Sequence, residues 1–167
     1  MNGNPPGALK SVATAVCVAL AMSTSVSVAE DTPVYPDGNK IEGAWDAQIT
    51  YRNCTTGAVL FTGQSLVAYA RGGVVTTITS GASPSSRYPG LGVWRHLRGH
   101  EYQSTFKEFR YNPDGTFAGK IIAVVDITHE PDDTITTRAV GRFYDAAGRL
   151  GATVCPTGVA VRFTGEN

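Results

Sequence analysis

The chain has 167 residues, the length of one ordinary domain, and it carries equal numbers of basic and acidic side chains, 14 of each. This balance leaves no basic excess for a phosphate backbone or an anionic membrane surface, so we expect no nucleic-acid partner. Only 17% of the residues are charged and 19 are glycine, which favours short strands and turns over long charged helices.

The first 29 residues have the organisation of a secretory signal peptide. Lys10 provides the positive charge, residues 13–22 form a short apolar run, and Ser-Val-Ala at 27–29 suits signal peptidase. The run is about half of the roughly 20 residues that a transmembrane helix needs, so no membrane anchor is expected in the mature form. We therefore predict an exported protein, periplasmic or extracellular, that begins at Glu30.

Two cysteines, Cys54 and Cys155, remain after the signal peptide, because Cys17 lies within it. In an oxidising compartment two remaining thiols are expected to pair, whereas in the cytosol they would be free. Export therefore predicts a disulfide bond between them.

Residues 30–40 contain two prolines and a glycine without periodicity, which predicts a flexible leader before a domain at 41–167. From Trp45 to Arg52 apolar and polar residues alternate, the pattern of a half-buried strand. Further strands are predicted at 64–71 and 74–79, joined by a glycine pair. Residues 80–92, rich in serine, glycine and proline, predict the longest loop, with Arg87 and Tyr88 near its tip.

The second half of the chain continues this pattern, with strands predicted at 93–98, 101–111, 120–129 and 134–144. Both faces of strand 120–129 are mainly apolar, which indicates either cover on both sides or a homodimer contact through that strand. The last strand, 149–163, contains Pro156 and Gly158. Proline cannot donate to a ladder, so a bulge or an edge is predicted there.

About eight short strands with short connections indicate an all-β fold, a single antiparallel up-and-down β-barrel. In such a barrel the first and last strands pair, which brings Cys54 near Cys155. The loop at 80–92 would then line the mouth of the barrel.

Gly43-Ala44-Trp45 at the head of the first strand and Arg162 near the end of the last resemble the G-x-W start and the closing basic residue of the lipocalin-like (calycin) β-barrels. The resemblance covers a few residues in the first and last strands of the barrel. It implies that Trp45 plugs one end with Arg162 stacked on it. The alternative is that Trp45 is an ordinary core residue and Arg162 a surface charge.

Motifs with a known chemistry are absent from the sequence: there is no phosphate loop, nucleophile elbow or cysteine-pair zinc spacing, and we expect no cofactor. His96 and His100 are four residues apart, but in a strand–turn–strand context they do not share a face, so we expect no metal site. His129 precedes Glu130-Pro131 and is predicted to be a solvated turn residue.

Glu108 and Asp126 each interrupt an apolar strand face, and a buried carboxylate is costly unless it is paired. If both point inward, with Arg110, Arg138 or Arg142 as partners, they would anchor a ligand or act as a general acid and base. If they point outward, they are ordinary solubility charges.

Three functions remain open from the sequence. The first is a binding barrel, in which aromatic residues line a cup for a small apolar ligand and the two carboxylates are polar anchors. The second is a cyclase or isomerase that uses an inward carboxylate, and the third is a cell-envelope interaction module with a filled core. The candidate ligand-binding residues are Tyr69, Trp94, Tyr102, Phe106, Glu108 and Asp126.

Overall fold

The computed structural model describes residues 41–81 and 83–165. The signal peptide and leader predicted at 1–29 and 30–40 lie outside these residues. The strands are β1 Gly43–Arg52, β2 Val59–Ala70, β3 Val74–Thr79, β4 Gly90–Arg98, β5 Glu101–Tyr111, β6 Phe117–His129, β7 Thr134–Asp145, β8 Leu150–Val154 and β9 Thr157–Arg162, with a short 3-10 helix at Pro84–Ser86 between β3 and β4.

The sheet closes into an eight-stranded antiparallel barrel. Strands β1 to β7 each pair with the next strand along the chain, and β9 completes the circle between β7 and β1. In the closing pair, Trp45 lies opposite Arg162 and Thr50 lies opposite Thr157. The predicted barrel and the pairing of its first and last strands are therefore confirmed.

The last predicted strand is interrupted at Cys155 and Pro156, between β8 and β9. Both segments pair with β7, β8 with its end and β9 with its beginning. Across the break, the Cys155 N–H donates to the Arg52 carbonyl and the Ala139 N–H donates to the Pro156 carbonyl, each at 2.9 Å. Proline only accepts here, so its missing N–H costs no ladder bond.

Three strands begin three or more residues earlier than the sequence predicts. β2 begins at Val59, β4 at Gly90 and β6 at Phe117. Glycine is a weak strand former and suggests a turn or a bulge, but pairing with neighbouring strands overrides that preference here. Each early segment runs through such a glycine: Gly63, Gly92 or Gly119.

Cys54 and Cys155 form a disulfide bond, as predicted. Their Cα atoms are 5.0 Å apart and they are separated by 101 residues in sequence. The bridge joins the end of the first strand to the last one. We call this end of the barrel, with residues 52–60, 80–81, 83–90 and 110–118, the open end, and the opposite end, with Trp45 and Arg162, the closed end.

The closed end has the plug that the lipocalin resemblance implies. Trp45 is 0% exposed and its indole N–H donates to the Ile41 carbonyl at 2.8 Å. The guanidinium carbon of Arg162 lies 4.3 Å from the centroid of the Trp45 ring. Arg162 also donates two hydrogen bonds to Asp133, at 2.7 and 2.8 Å, so the stacking cation is held in place.

Gly43 is required beside this plug. Its φ of +127° lies in a region that other residues rarely adopt, and a Cβ there would lie 2.8 Å from Nη1 of Arg162. That nitrogen donates instead to the Glu42 carbonyl at 2.8 Å. The glycine of the G-x-W sequence therefore leaves room for the arginine.

Candidate functional site

A cavity of about 100 Å³ lies inside the barrel, between the closed-end plug and the open end. One water needs on the order of 10–15 Å³ of such space, so the cavity has room for several waters or a small ligand. The space exists because many inward positions carry side chains too small to meet across the barrel. These positions include Ala47, Ala123, Ala139, Gly141, Gly158 and Ala160.

Hydroxyl groups in the cavity wall are already hydrogen-bonded to one another. Ser65 Oγ lies 2.9 Å from Thr77 Oγ1 and donates to the Ile78 carbonyl at 3.1 Å. Tyr69 shares a hydrogen bond with Ser104, and burial raises the pKa of the Tyr69 hydroxyl. These groups are satisfied within the wall, which is otherwise mostly apolar.

Glu108 is the acidic residue of the wall. It is 4% exposed, and its Oε2 lies 3.3 Å from Nε of Arg87. Among the described residues no group donates an aligned hydrogen bond to that oxygen. Burial raises the pKa of the Glu108 carboxyl, and the positive charge of Arg87 partly opposes this rise.

Arg87 reaches Glu108 from the connection between β3 and β4. The Tyr88 N–H donates to the Phe109 carbonyl at 3.2 Å, and the backbone of Arg87 pairs with that of Arg110 in an isolated antiparallel β-bridge. The segment therefore lies along β5, and Arg87, with 18% of its side chain exposed, folds into the open end. The expectation that Arg87 and Tyr88 are at a loop tip is wrong, because this pairing holds them against the barrel.

Tyr51 and Thr79 complete a polar group at the same place. Tyr51 shares a hydrogen bond with Thr79 and accepts one from Arg87. Burial raises the pKa of Tyr51, while the charge of Arg87 lowers it and that of Glu108 adds to the rise. We call Tyr51, Thr79, Arg87 and Glu108 the open-end cluster, the charged end of a mostly apolar cavity.

The six candidate residues from the sequence occupy three different places. Tyr69, Phe106 and Glu108 line the cavity. Trp94 and Tyr102 lie in an aromatic layer nearer the closed end, with ring centroids 6.1 Å apart. Asp126 lies on the outer face of β6, where it accepts a hydrogen bond from Gln103 Nε2 at 2.9 Å.

The arginines expected beside an inward carboxylate do not pair with Glu108. Arg110 packs over the Phe143 ring, 5.4 Å from its centroid, and Arg138 and Arg142 are exposed on β7. Sequence reasoning missed Arg87 as the partner because a loop carries no periodicity that shows where its side chains point. Tyr51 was detectable, since it continues the inward alternation that begins at Trp45.

The prediction of a solvated His129 is wrong. This residue is 8% exposed, and its Nε2 lies 3.0 Å from Oδ1 of Asp133. It is inward because it continues the alternation of Ile121, Ala123 and Ile127 to the end of β6. Within residues 41–81 and 83–165, no group of three or more His, Cys, Asp or Glu side chains is placed to hold a metal ion.

The outer face of β6 carries the apolar residues that raised the question of a homodimer. Ile122 and Val124 point outward there and are half-buried.

In the described part of the chain, no helix combines the length and the apolar composition needed to cross a bilayer.

No protein-family model matches the chain, and no curated protein sequence matches it either. Among solved structures, the crystal structure of Rv2717c from M. tuberculosis is similar, with 12% sequence identity and a TM-score of 0.39. The similarity covers 74% of this chain and 93% of that chain.

Proposed function

We propose that the protein is an exported barrel that binds a small, largely apolar molecule in its cavity. The observation that carries this proposal is the cavity of about 100 Å³, apolar along most of its wall. It is on the scale of the roughly 150 Å³ apolar cavities that admit benzene, and below the roughly 300–1,000 Å³ of pockets for drug-sized ligands. The ligand is therefore about the size of a single ring.

The ligand enters through the open end, past the connection at residues 80–89. That connection is the longest in the described part of the chain and places Arg87 at the cavity wall. The opposite route is blocked by the stacked Trp45 and Arg162. The alternative of an interaction module needs a filled core, and the cavity counts against it.

Calorimetric titration of benzene, toluene, cyclohexane and indole tests this function. Ala123 lines the cavity, so Ala123→Leu fills part of it, whereas Ala68→Leu adds the same atoms to the exposed outer face of β2. We expect binding by the wild type and Ala68→Leu, and at least about tenfold weaker binding by Ala123→Leu. The proposal is rejected if the wild type binds none of the four or if all three proteins bind equally.

Export is part of the proposal. The Cys54–Cys155 disulfide is compatible with an oxidising exported location. Protein recovered from outside the cytoplasm should have the intact mass of a chain that begins at Glu30. A chain that still begins at Met1 in that material would contradict the signal peptide.

A second function, acid–base catalysis, is favoured by one observation. Glu108 is a buried carboxyl with a raised pKa in an apolar cavity, beside the Tyr51 hydroxyl, a combination common at catalytic sites. Such a carboxylate can take a proton from carbon beside a carbonyl and return one. Deuterium uptake by cyclohexanone in D₂O should then be faster with wild type than with Glu108→Gln, and equal rates would reject this function.

A further inference from the structure

We propose that the ligand carries a neutral hydrogen-bond donor, such as a hydroxyl group, that binds Oε2 of Glu108; this inference rests on the proposed binding function. Glu108 lines the cavity and is 4% exposed. Among the described residues its Oε2 receives no aligned hydrogen bond. A buried acceptor without a donor is costly, and a donor on the ligand removes that cost.

The neighbouring cation does not take this place. Nε of Arg87 lies 3.3 Å from Oε2, close enough to balance its charge, but it is not aligned to donate a hydrogen bond. Carboxylate oxygens have several acceptor sites, so a second donor can bind while the ion pair persists. The arginine therefore balances the charge of the carboxylate but leaves Oε2 able to accept a hydrogen bond.

The ion pair also decides the charge of the ligand. A cationic or an anionic group would add a net charge to this mostly apolar cavity and carry the desolvation cost of burial, and each would also face a like charge, on Arg87 or on Glu108. The pair is neutral as a whole, so a neutral donor meets neither penalty. The Tyr51 hydroxyl is already engaged with Thr79 and Arg87, which leaves Glu108 as the acceptor for the ligand.

The position of the carboxylate is fixed by its close neighbours. A Cβ at Gly90 would lie 2.5 Å from Thr77 Cγ2 and 3.0 Å from Glu108 Cγ, so the backbone of β4 packs directly on the acid. Phe106 and Ile121 line the adjoining wall. A single ring with one hydroxyl, of the phenol or cyclohexanol type, matches an apolar space with one fixed acceptor at its end.

Calorimetric titration with phenol and toluene, which differ by a hydroxyl in place of a methyl, tests this inference. The quantity compared between variants is the ratio of the phenol affinity to the toluene affinity. The difference in hydration between the two probes is the same for every variant, so it cancels in this comparison. We expect this ratio to fall by about tenfold or more from wild type to Glu108→Leu. Glu108→Gln keeps an acceptor oxygen and should retain part of the preference. Benzoate and benzylammonium should bind the wild type more weakly than phenol.

The matched control is Glu101→Leu, which changes an exposed glutamate at the other end of the same strand and should leave the ratio unchanged. An unchanged ratio in both Glu108 variants, with toluene still bound, would overturn the inference and leave the proposed function standing. Binding of neither phenol nor toluene to the wild type would reject both.

Discussion

The Nε of Arg87 lies 3.3 Å from Oε2 of Glu108 at the cavity wall. This contact joins the connection between β3 and β4 to the barrel wall on β5. It also explains how the carboxylate remains inside: the arginine partly offsets the cost of burial. The contact therefore couples the connection between β3 and β4 to the polar group of the cavity.

Replacing Arg87 by methionine should destabilise the protein at pH 7 by about 1–3 kcal/mol, because it leaves a buried charge without a partner. Burial already raises the pKa of Glu108, and losing the arginine raises it further. A group with a raised pKa in the folded state stabilises that state when protonated, and this contribution is lost as pH rises through the folded pKa. In urea unfolding experiments, the stability that Arg87→Met loses relative to wild type should therefore become smaller as the pH is lowered from 7 to 5.

The double variant Arg87→Met with Glu108→Gln provides the control for that experiment. Removing the acid should restore part of the stability at pH 7 and abolish the change between the two pH values. A loss in Arg87→Met that is the same at both pH values would contradict the charge explanation.

Asp133 should contribute to the acid sensitivity of the protein. A hydrogen bond from Arg162, and to a smaller extent one from His129, holds the pKa of Asp133 well below its usual range. A carboxyl with a depressed pKa stabilises the folded state above its ordinary pKa, and that contribution is lost as pH falls toward the folded value. Between about pH 5 and pH 2, Asp133→Asn should lose less stability than wild type in urea unfolding experiments, and equal losses would contradict this role of Asp133.

The stacked plug at the closed end should be measurable as stability. Arg162→Ala removes the contact with Trp45 and the bonds to Asp133, and we expect a loss of about 1–3 kcal/mol in the free energy of unfolding. Arg98→Ala breaks an exposed pair with Glu101, which solvent screens, and should cost much less stability than Arg162→Ala. Equal losses in the two variants would mean that Arg162 is an ordinary surface charge.

The disulfide should be a large part of the stability. The bridge closes a loop spanning 101 residues, for which chain entropy gives a stabilisation of roughly 4–5 kcal/mol. Replacing both Cys54 and Cys155 by serine should lower the free energy of unfolding by up to this amount. Full alkylation of both thiols in denatured, unreduced exported protein would contradict the bridge.

The barrel can be predicted from the sequence because apolar and polar residues alternate along each strand, and this alternation indicates which side chains face inward. The same rule separates Glu108, which shares a face with Tyr102 and Phe106, from Asp126, which alternates with the inward Ala123 and Ile127. His129 obeys it as well, but the adjoining Glu130-Pro131 turn suggested solvent.

The open-end cluster could not be predicted in the same way. Arg87 belongs to an aperiodic loop, and its inward position depends on the pairing of that loop with β5. The cavity likewise depends on how small side chains from distant strands meet across the barrel, which no local pattern records. The sequence thus predicts the wall, whereas the space inside it is a property of packing.

Diffraction from crystals pressurised with xenon tests most directly whether the barrel holds an accessible apolar cavity, because xenon enters such spaces without needing a polar partner. We expect xenon density inside the barrel, between Phe106, Val67 and Ile121, and weaker density there in Ala123→Leu. Xenon confined to the outer surface of the wild type, with none among these side chains, would contradict the cavity and the binding function that depends on it.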